Sequence, residues 1–232
     1  VRRIFGSQTT QEFDSMSIKR MALTAVTLLA ATAGMPAQAQ DAYKGFQSGD
    51  IMVRGRGLMV LPTVSSSVSA IGGDVDASLS FEPEVDVSYF FTPNISVEAI
   101  AAITRHSLKD NGSAAGNVDL GKVTLLPPTV TLQYHFMPDQ ELSPYLGAGL
   151  NYTAFFNSTL PAGSAATSIH YDNAFGAAIQ AGVDYHIKGN WFINFDIKHI
   201  FLTTTAKING GAIKADVSLD PTIVGFGIGY KF

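Results

Sequence analysis

The chain has 232 residues, a hydrophobic fraction of 46%, no cysteine and a formal charge of −4 at pH 7. So mild an acidity excludes a basic nucleic-acid-binding surface as the default reading. The lack of cysteine excludes thiol catalysis, thiolate metal sites and disulfide staples, so an exported fold would have to be held by packing and strand pairing.

Lys19 and Arg20 precede an apolar run from Met21 to Ala33, followed by Gly34, Pro36 and the small-x-small pattern Ala37-Gln38-Ala39. Charge, apolar run and small-residue site are the three parts of a secretory signal, with cleavage expected after Ala39. The run is too short to span a bilayer as a helix, which takes about 20 residues. Met16 reads as the start and Val1–Ser15 as an upstream extension. Residues 1–39 are therefore set apart, and 40–232 are expected to form one domain. No later stretch resembles a membrane helix, and the 22 glycines are spread through strand-like segments, which disfavours helices.

From Ile51 onward eight segments alternate in character: Ile51–Val60, Glu82–Phe91, Ile95–Arg105, Pro128–Phe136, Pro144–Phe155, Asn173–Ile187, Trp191–Thr203 and Thr222–Phe232. Most reach the roughly 9–11 residues that a tilted membrane strand needs. Their connections alternate too. Thr92-Pro93-Asn94, Met137–Ser143 and Lys188-Gly189-Asn190 are short, whereas Leu61–Phe81, His106–Pro127, Phe156–Asp172 and Thr204–Pro221 are long and polar. Short turns on one side and long loops on the other are the rhythm of an outer-membrane barrel. An even strand number puts both ends of the domain on the short-turn side. Backbone groups within lipid must all be paired, so a strand-built membrane protein has to close on itself.

Aromatic residues fall in two groups. Tyr89, Phe91, Tyr134, Phe136, Tyr145, Tyr185, Trp191, Tyr230 and Phe232 lie near the short turns, and Tyr152, Phe155, Phe156, Phe175 and Phe201 near the long loops. Two belts suit a slab with two interfaces. In the last segment Val224, Phe226, Ile228, Tyr230 and Phe232 alternate with Gly225, Gly227, Gly229 and Lys231. This is the pattern of a closing strand, and Phe232 is expected to serve as the signal read by the barrel-assembly machinery.

Strand parity then assigns the interior. If Phe226 and Ile228 face lipid, the inward set is Arg54 and Arg56; Glu84 and Asp86; Glu98, Ile100 and Thr104; Gln133 and His135; Asn151; Gln180, Asp184 and His186; and Asn194, Asp196 and Lys198. A basic side chain on the lipid face at mid-bilayer would cost about 2–4 kcal/mol, so the shared parity of the charges supports the assignment. Arg54 and Arg56 are expected beside Glu84 and Asp86, with the strand-eight glycines leaving room for the guanidiniums. Such a cluster is either a salt-bridged plug or the polar floor of a channel. Leu58, Val60 and Ile100 are either an apolar upper lumen above the charged cluster or packing filler. Pro127 and Pro128 lack a backbone donor and should interrupt the ladder where strand four begins. Either a lateral opening between strands three and four lies there, or the prolines merely start strand four above the membrane.

The residues Leu126-Pro127-Pro128-Thr129 with Gln133, the block Pro144-Tyr145-Leu146-Gly147-Ala148-Gly149-Leu150-Asn151-Tyr152-Thr153, then Gly182-Val183-Asp184-Tyr185, Leu219-Asp220-Pro221 and Gly229-Tyr230-Lys231-Phe232 carry a resemblance. From about Gly49 onward the chain resembles the OmpW family of small outer-membrane barrels, which includes alkane-uptake proteins. The resemblance implies an eight-stranded antiparallel transmembrane β-barrel in the outer membrane, among membrane lipids and lipopolysaccharide. It also implies a small hydrophobic substrate. No cofactor is expected, and the mild acidity already argues against nucleic acid. A monomer is expected. In the family, the position matching Lys198 can carry an aromatic that narrows the lumen. Lys198 departs from that and would pair with Asp196 or Glu98.

Two other classes compete. A hydrolase needs a nucleophile and a base within reach. None of His106, His135, His170, His186 or His199 is followed by Ser two positions on, and His170 with Asp172 has no third ligand spaced nearby. The second is a closed structural or adhesive barrel acting through its outer loops, of which Ser65–Ser69 and Ala162–Ser168 read as mobile.

Overall fold

The computed structural model describes residues 43–232 apart from 62, 64, 68–73, 78, 114, 115 and 162–166. The extension and export signal read over Val1–Ala39 lie outside the described residues.

Eight strands form the wall: β1 (Ile51–Leu61), β2 (Ser80–Phe90), β3 (Ile95–Ala102), β4 (Thr129–His135), β5 (Leu142–Thr159), β6 (Ala174–Lys188), β7 (Trp191–Phe201) and β8 (Thr222–Lys231). Each pairs antiparallel with the next, from Val85↔Ala101 between β2 and β3 to Phe195↔Phe226 between β7 and β8. β1 pairs with β8 as well as β2, so the ring is closed. Closure removes both sheet edges and pairs the backbone without help from water.

Burial alternates along every strand, as in β2 with Val85, Val87 and Tyr89 outside and Glu84, Asp86 and Ser88 inside. Val130, Leu132, Leu146, Ile197, Phe226 and Ile228 continue the apolar exterior. Rings meet edge to face at the short-turn end, Tyr89 with Phe91, Tyr134 with Phe136 and Trp191 with Tyr230. At the opposite rim Tyr152 lies 4.8 Å from Phe175. Tyr145 and Phe155, expected in these belts, are instead inside the barrel and buried. The reason is parity: both share the face of Asn151 on β5, and that face points inward.

The short turns follow from local chemistry. Thr92 Oγ1 accepts from the Ile95 amide at 3.0 Å, and Gly189 supplies a positive φ of 57° in the turn before β7. The long connections differ from the expected polar loops. Thr104–Ser113 and Gly116–Leu126 form a hairpin that prolongs β3 and β4 outward. Thr203–Ile208 pairs with Ile213–Ser218 and with Ile169–Tyr171, and Ser65–Ser67 pairs with Asp216–Ser218. Ser65–Ser67 is thus strand rather than mobile loop, while positions 68, 69 and 162–166 lie outside the described residues. These outer strands form because they have an apolar face to bury: Leu202, Ala206 and Val217 pack with Phe155 and Tyr171. Burial among them pushes the Tyr171 phenol up to about 12.

Candidate functional site

The barrel register decides which charges meet. Arg54 stands opposite Asp86, and Arg56 opposite Glu84, across the β1–β2 ladder. On the other side of β1 they face Gly229 and Gly227. A Cβ at Gly227 would fall 2.1 Å from the Gly55 carbonyl oxygen and 2.7 Å from Arg56 Cα. Only glycine lets the β8 backbone approach closely enough there for both arginines to lie across the lumen.

Arg54 is fully buried, and each of its three nitrogens is bonded. Its Nε and Nη2 donate to Asp184 on β6 at 3.0 and 2.8 Å, and its Nη1 donates to Asp86 Oδ1 and Ser88 Oγ, both at 2.8 Å. This two-pronged hold spans the barrel, and a planar guanidinium suits it. Arg56 Nη2 donates to Asp86 Oδ2 at 2.6 Å and also to Glu98 Oε1. Glu98 Oε2 accepts from Thr131 and from Gln180 Nε2, the latter at 2.8 Å, and the same Gln180 nitrogen donates to Asp196 at 2.7 Å. Tyr145 Oη donates to Asp196 Oδ2 at 3.1 Å, and its ring lies where a Cβ at Gly182 would sit. Five carboxylates, Glu84, Asp86, Glu98, Asp184 and Asp196, and three cations, Arg54, Arg56 and Lys198, thus form one buried layer. The layer is tight on its lower side. On its upper side Lys198 Nζ stands 3.6 Å from Asp196 and 3.7 Å from Glu84. Of the two partners expected for Lys198, Asp196 is present. Glu98 is occupied by Arg56, Thr131 and Gln180, and Glu84 stands in its place.

Below this layer is an aromatic plug that the sequence reading missed. Phe46, 1% exposed, stacks on Phe90 at 4.3 Å between centroids and on Phe192 at 5.5 Å. Tyr43 stacks on His186 at 4.4 Å. The segment is fixed by the Phe46 amide donating to the Pro138 carbonyl at 2.8 Å and by Lys231, which donates to Gly45 O at 2.7 Å and pairs with Asp50 at 2.9 Å. Parity alone would have turned Phe90 and Phe192 inward. Nothing in the sequence marks Phe46, which precedes the first strand. His135, beside the plug, has Ser96 Oγ 3.2 Å from its Nε2, a contact made across strands rather than by the His-x-Ser spacing considered above. Phe46, Phe90 and Tyr145 wall it in.

Above the charged layer the lumen turns apolar. Ile100 is buried, and Leu58, Val60, Ala102, Ala178, Ile200 and Ile223 form one cluster that runs upward into Phe155, Tyr171 and Val217. The wall changes at the same level. Pairing of β3 with β4 ends at Ile100↔Thr129 and resumes, in unchanged register, at Thr104↔Leu125. Pro127 and Pro128 occupy the gap. The Pro128 carbonyl accepts from the Tyr152 amide on β5 at 3.0 Å, whereas the Pro127 carbonyl accepts from Thr129 Oγ1 at 3.0 Å and Asn151 Nδ2 at 3.2 Å. Side chains thus satisfy the carbonyl that a β3 partner would otherwise bond. Ile103 and Leu126, beside the gap, are 53% and 37% exposed.

A closed eight-stranded antiparallel ring with an apolar exterior and aromatic rims is an outer-membrane β-barrel. The chain belongs to the OmpW family, whose sequence profile matches residues 47–232. It is 43% identical over 184 residues to the uncharacterized outer-membrane protein y4mB of Sinorhizobium fredii, covering 78% of this chain and 79% of that one. It is 31% identical over 163 residues to the dibenzothiophene metabolism operon protein PahQ of Pseudomonas aeruginosa, covering 69% and 76%. The crystal structure of the outer-membrane protein OprG from Pseudomonas aeruginosa superposes with a TM-score of 0.75 at 29% identity, covering 82% of this chain and 98% of that one. The protein is therefore a resident of the outer membrane.

Proposed function

We propose that the barrel carries small hydrophobic molecules from outside into the outer membrane itself, without chemical conversion. A molecule entering from the long-loop side meets the apolar cluster around Leu58, Val60, Ile100 and Ile223. It then leaves sideways between β3 and β4. The observation that carries this reading is the coincidence of level: the ladder gap at Pro127 and Pro128 opens beside the apolar layer and above the charged one. Passage straight through would require an apolar solute to cross Arg54, Arg56, Glu84, Asp86, Glu98, Asp184, Asp196 and Lys198, a fully buried ionic layer, and then the Phe46 plug. A sideways route avoids both. That PahQ is named for a dibenzothiophene operon supports an apolar solute.

The register on either side of the gap would set Ala102 opposite Pro127. Thr104 and Thr129, by contrast, lie beyond its two ends. Ala102→Cys with Pro127→Cys therefore offers a staple across it. Cells bearing the oxidised double variant should take up radiolabelled octane no faster than cells lacking the protein, and reduction should restore the rate. Equal uptake by the oxidised, correctly assembled barrel would overturn the lateral route. Protein-independent octane uptake would instead favour a closed structural barrel.

A further inference from the structure

The charged layer is unevenly satisfied, and the uneven part faces the apolar lumen. Its lower half is bonded at 2.6–3.0 Å, through Arg54 to Asp184 and Asp86 and through Arg56 to Asp86. Its upper half is a ring of four groups in looser ion pairs. Arg56 Nη1 stands 3.4 Å from Glu84 Oε1 and 3.3 Å from Asp196 Oδ1, and Lys198 Nζ stands 3.7 Å from Glu84 Oε2 and 3.6 Å from Asp196 Oδ1. Arg56 Nε and Nη1, Glu84 Oε1, Asp196 Oδ1 and Lys198 Nζ have no hydrogen-bond partner among the described residues, although all four side chains are buried. Buried polar atoms are ordinarily paired, and leaving them unpaired is costly.

Strand parity shows what lies directly above: the next inward residue is Leu58 after Arg56 on β1, Ile200 after Lys198 on β7 and Ile100 after Glu98 on β3, all buried. Beside the ring, Lys198 is opposite Ile223, which is opposite Val60, and Glu84 is opposite Ala102. Donors and acceptors that lack a hydrogen bond thus sit directly beneath the apolar layer. We infer that this ring is a head-group site, and that the preferred solute is a neutral amphiphile with one terminal hydroxyl, such as a medium-chain primary alcohol. The inference rests on the uptake reading above and narrows its substrate class.

The chemistry selects the hydroxyl. One O–H donates to Glu84 Oε1 or Asp196 Oδ1 while its lone pairs accept from Lys198 Nζ and Arg56 Nη1, so a single atom serves both kinds of orphan. An alkane serves neither. A carboxylate accepts from the cations but enters a layer in which five carboxylates already outnumber three cations. An alkylammonium donates to the acids but offers no lone pair to Lys198 Nζ or Arg56 Nη1 and adds a like charge beside them. A site built to bond a polar atom discriminates more strongly than an apolar pocket does.

Competition against radiolabelled octane tests this in cells making the wild-type barrel. Unlabelled 1-octanol should halve the protein-dependent uptake at about one-tenth the concentration required of nonane, octanoate or octylamine. In Lys198→Met that advantage over nonane should shrink about 10-fold. A second measurement does not depend on the variant's folding. In the wild-type barrel in lipid nanodiscs, the C1 protons of 1-octanol should give nuclear Overhauser contacts to the Lys198 ε-protons. Octanol no better than nonane, preference for octanoate or octylamine, or C1 contacts confined to Val60 and Ile223 would overturn the head-group site while leaving hydrophobic uptake standing. Absence of any protein-dependent octane uptake would remove both.

Discussion

Arg54 has two carboxylates and a hydroxyl within hydrogen-bond reach and no exposed surface. Burying such a group pays only if every donor finds a partner, and removing one partner of a buried pair is worse than never having built it. Arg54→Ala strands Asp184 and weakens the hold on Asp86. It should destabilise the barrel by about 3–5 kcal/mol, measured as a shift in urea unfolding of the refolded protein in phospholipid. Arg54→Lys should recover only part of that loss, because an ammonium cannot hold both Asp184 oxygens in one plane. Full recovery by lysine would mean that charge alone, not the fork, matters at this position.

Two elements decide closure. β8 must lie against β1 closely enough for the arginines to cross it, and Gly227 leaves no space for a side chain. Gly227→Val should abolish the heat-modifiable band that marks a closed barrel on unboiled gels. A normal band would show that the seam tolerates widening. The end of β8 contributes differently. The Phe232 amide donates to the Ile51 carbonyl at 2.8 Å and its ring rests edge-on against Tyr230 at 4.8 Å, facing outward. Phe232→Ala removes little from the interior. If Phe232 is the residue read by the assembly machinery, its loss should reduce assembled barrel in the outer membrane several-fold, while Asp139→Ala, at an exposed short turn, leaves it unchanged. Equal levels would assign Phe232 no assembly role.

At the scale of the whole molecule the lumen is three layers in series: apolar outside, ionic in the middle, aromatic at the base. An eight-stranded ring encloses space for little more than its own side chains, and here two of the three layers block the axis independently. Single-barrel recordings in planar bilayers should therefore show only background conductance. Phe46→Ala should leave it at background, since the ionic layer remains, while costing about 3–5 kcal/mol of stability through the lost stacking volume. Stepwise conductance in Phe46→Ala would identify the plug, rather than the ionic layer, as the axial seal.

How much of this the sequence carries differs from layer to layer. Period-two alternation has a direct physical cause, the two faces of a strand. It therefore puts Arg54, Arg56, Glu84, Asp86, Glu98, Asp184, Asp196 and Lys198 on one face from local pattern alone. The same rule turns Tyr145 and Phe155 inward. Their positions near the strand ends point to the belts, but parity overrides position along a strand. Pro127 and Pro128 announce a broken ladder because each lacks a donor. What local pattern cannot supply is distance across the ring. Arg54 meets Asp184 from 130 residues away, Lys198 meets Glu84 rather than Glu98, and Phe46 finds Phe90, Phe192 and His135 only because closure brings those walls within one ring diameter. By itself the sequence determined the strands, their inward faces and the point where the wall is interrupted. The pairing of charges, the unpaired upper ring and the plug were decided by barrel closure, because contacts across a lumen depend on register and shear, which no single strand encodes.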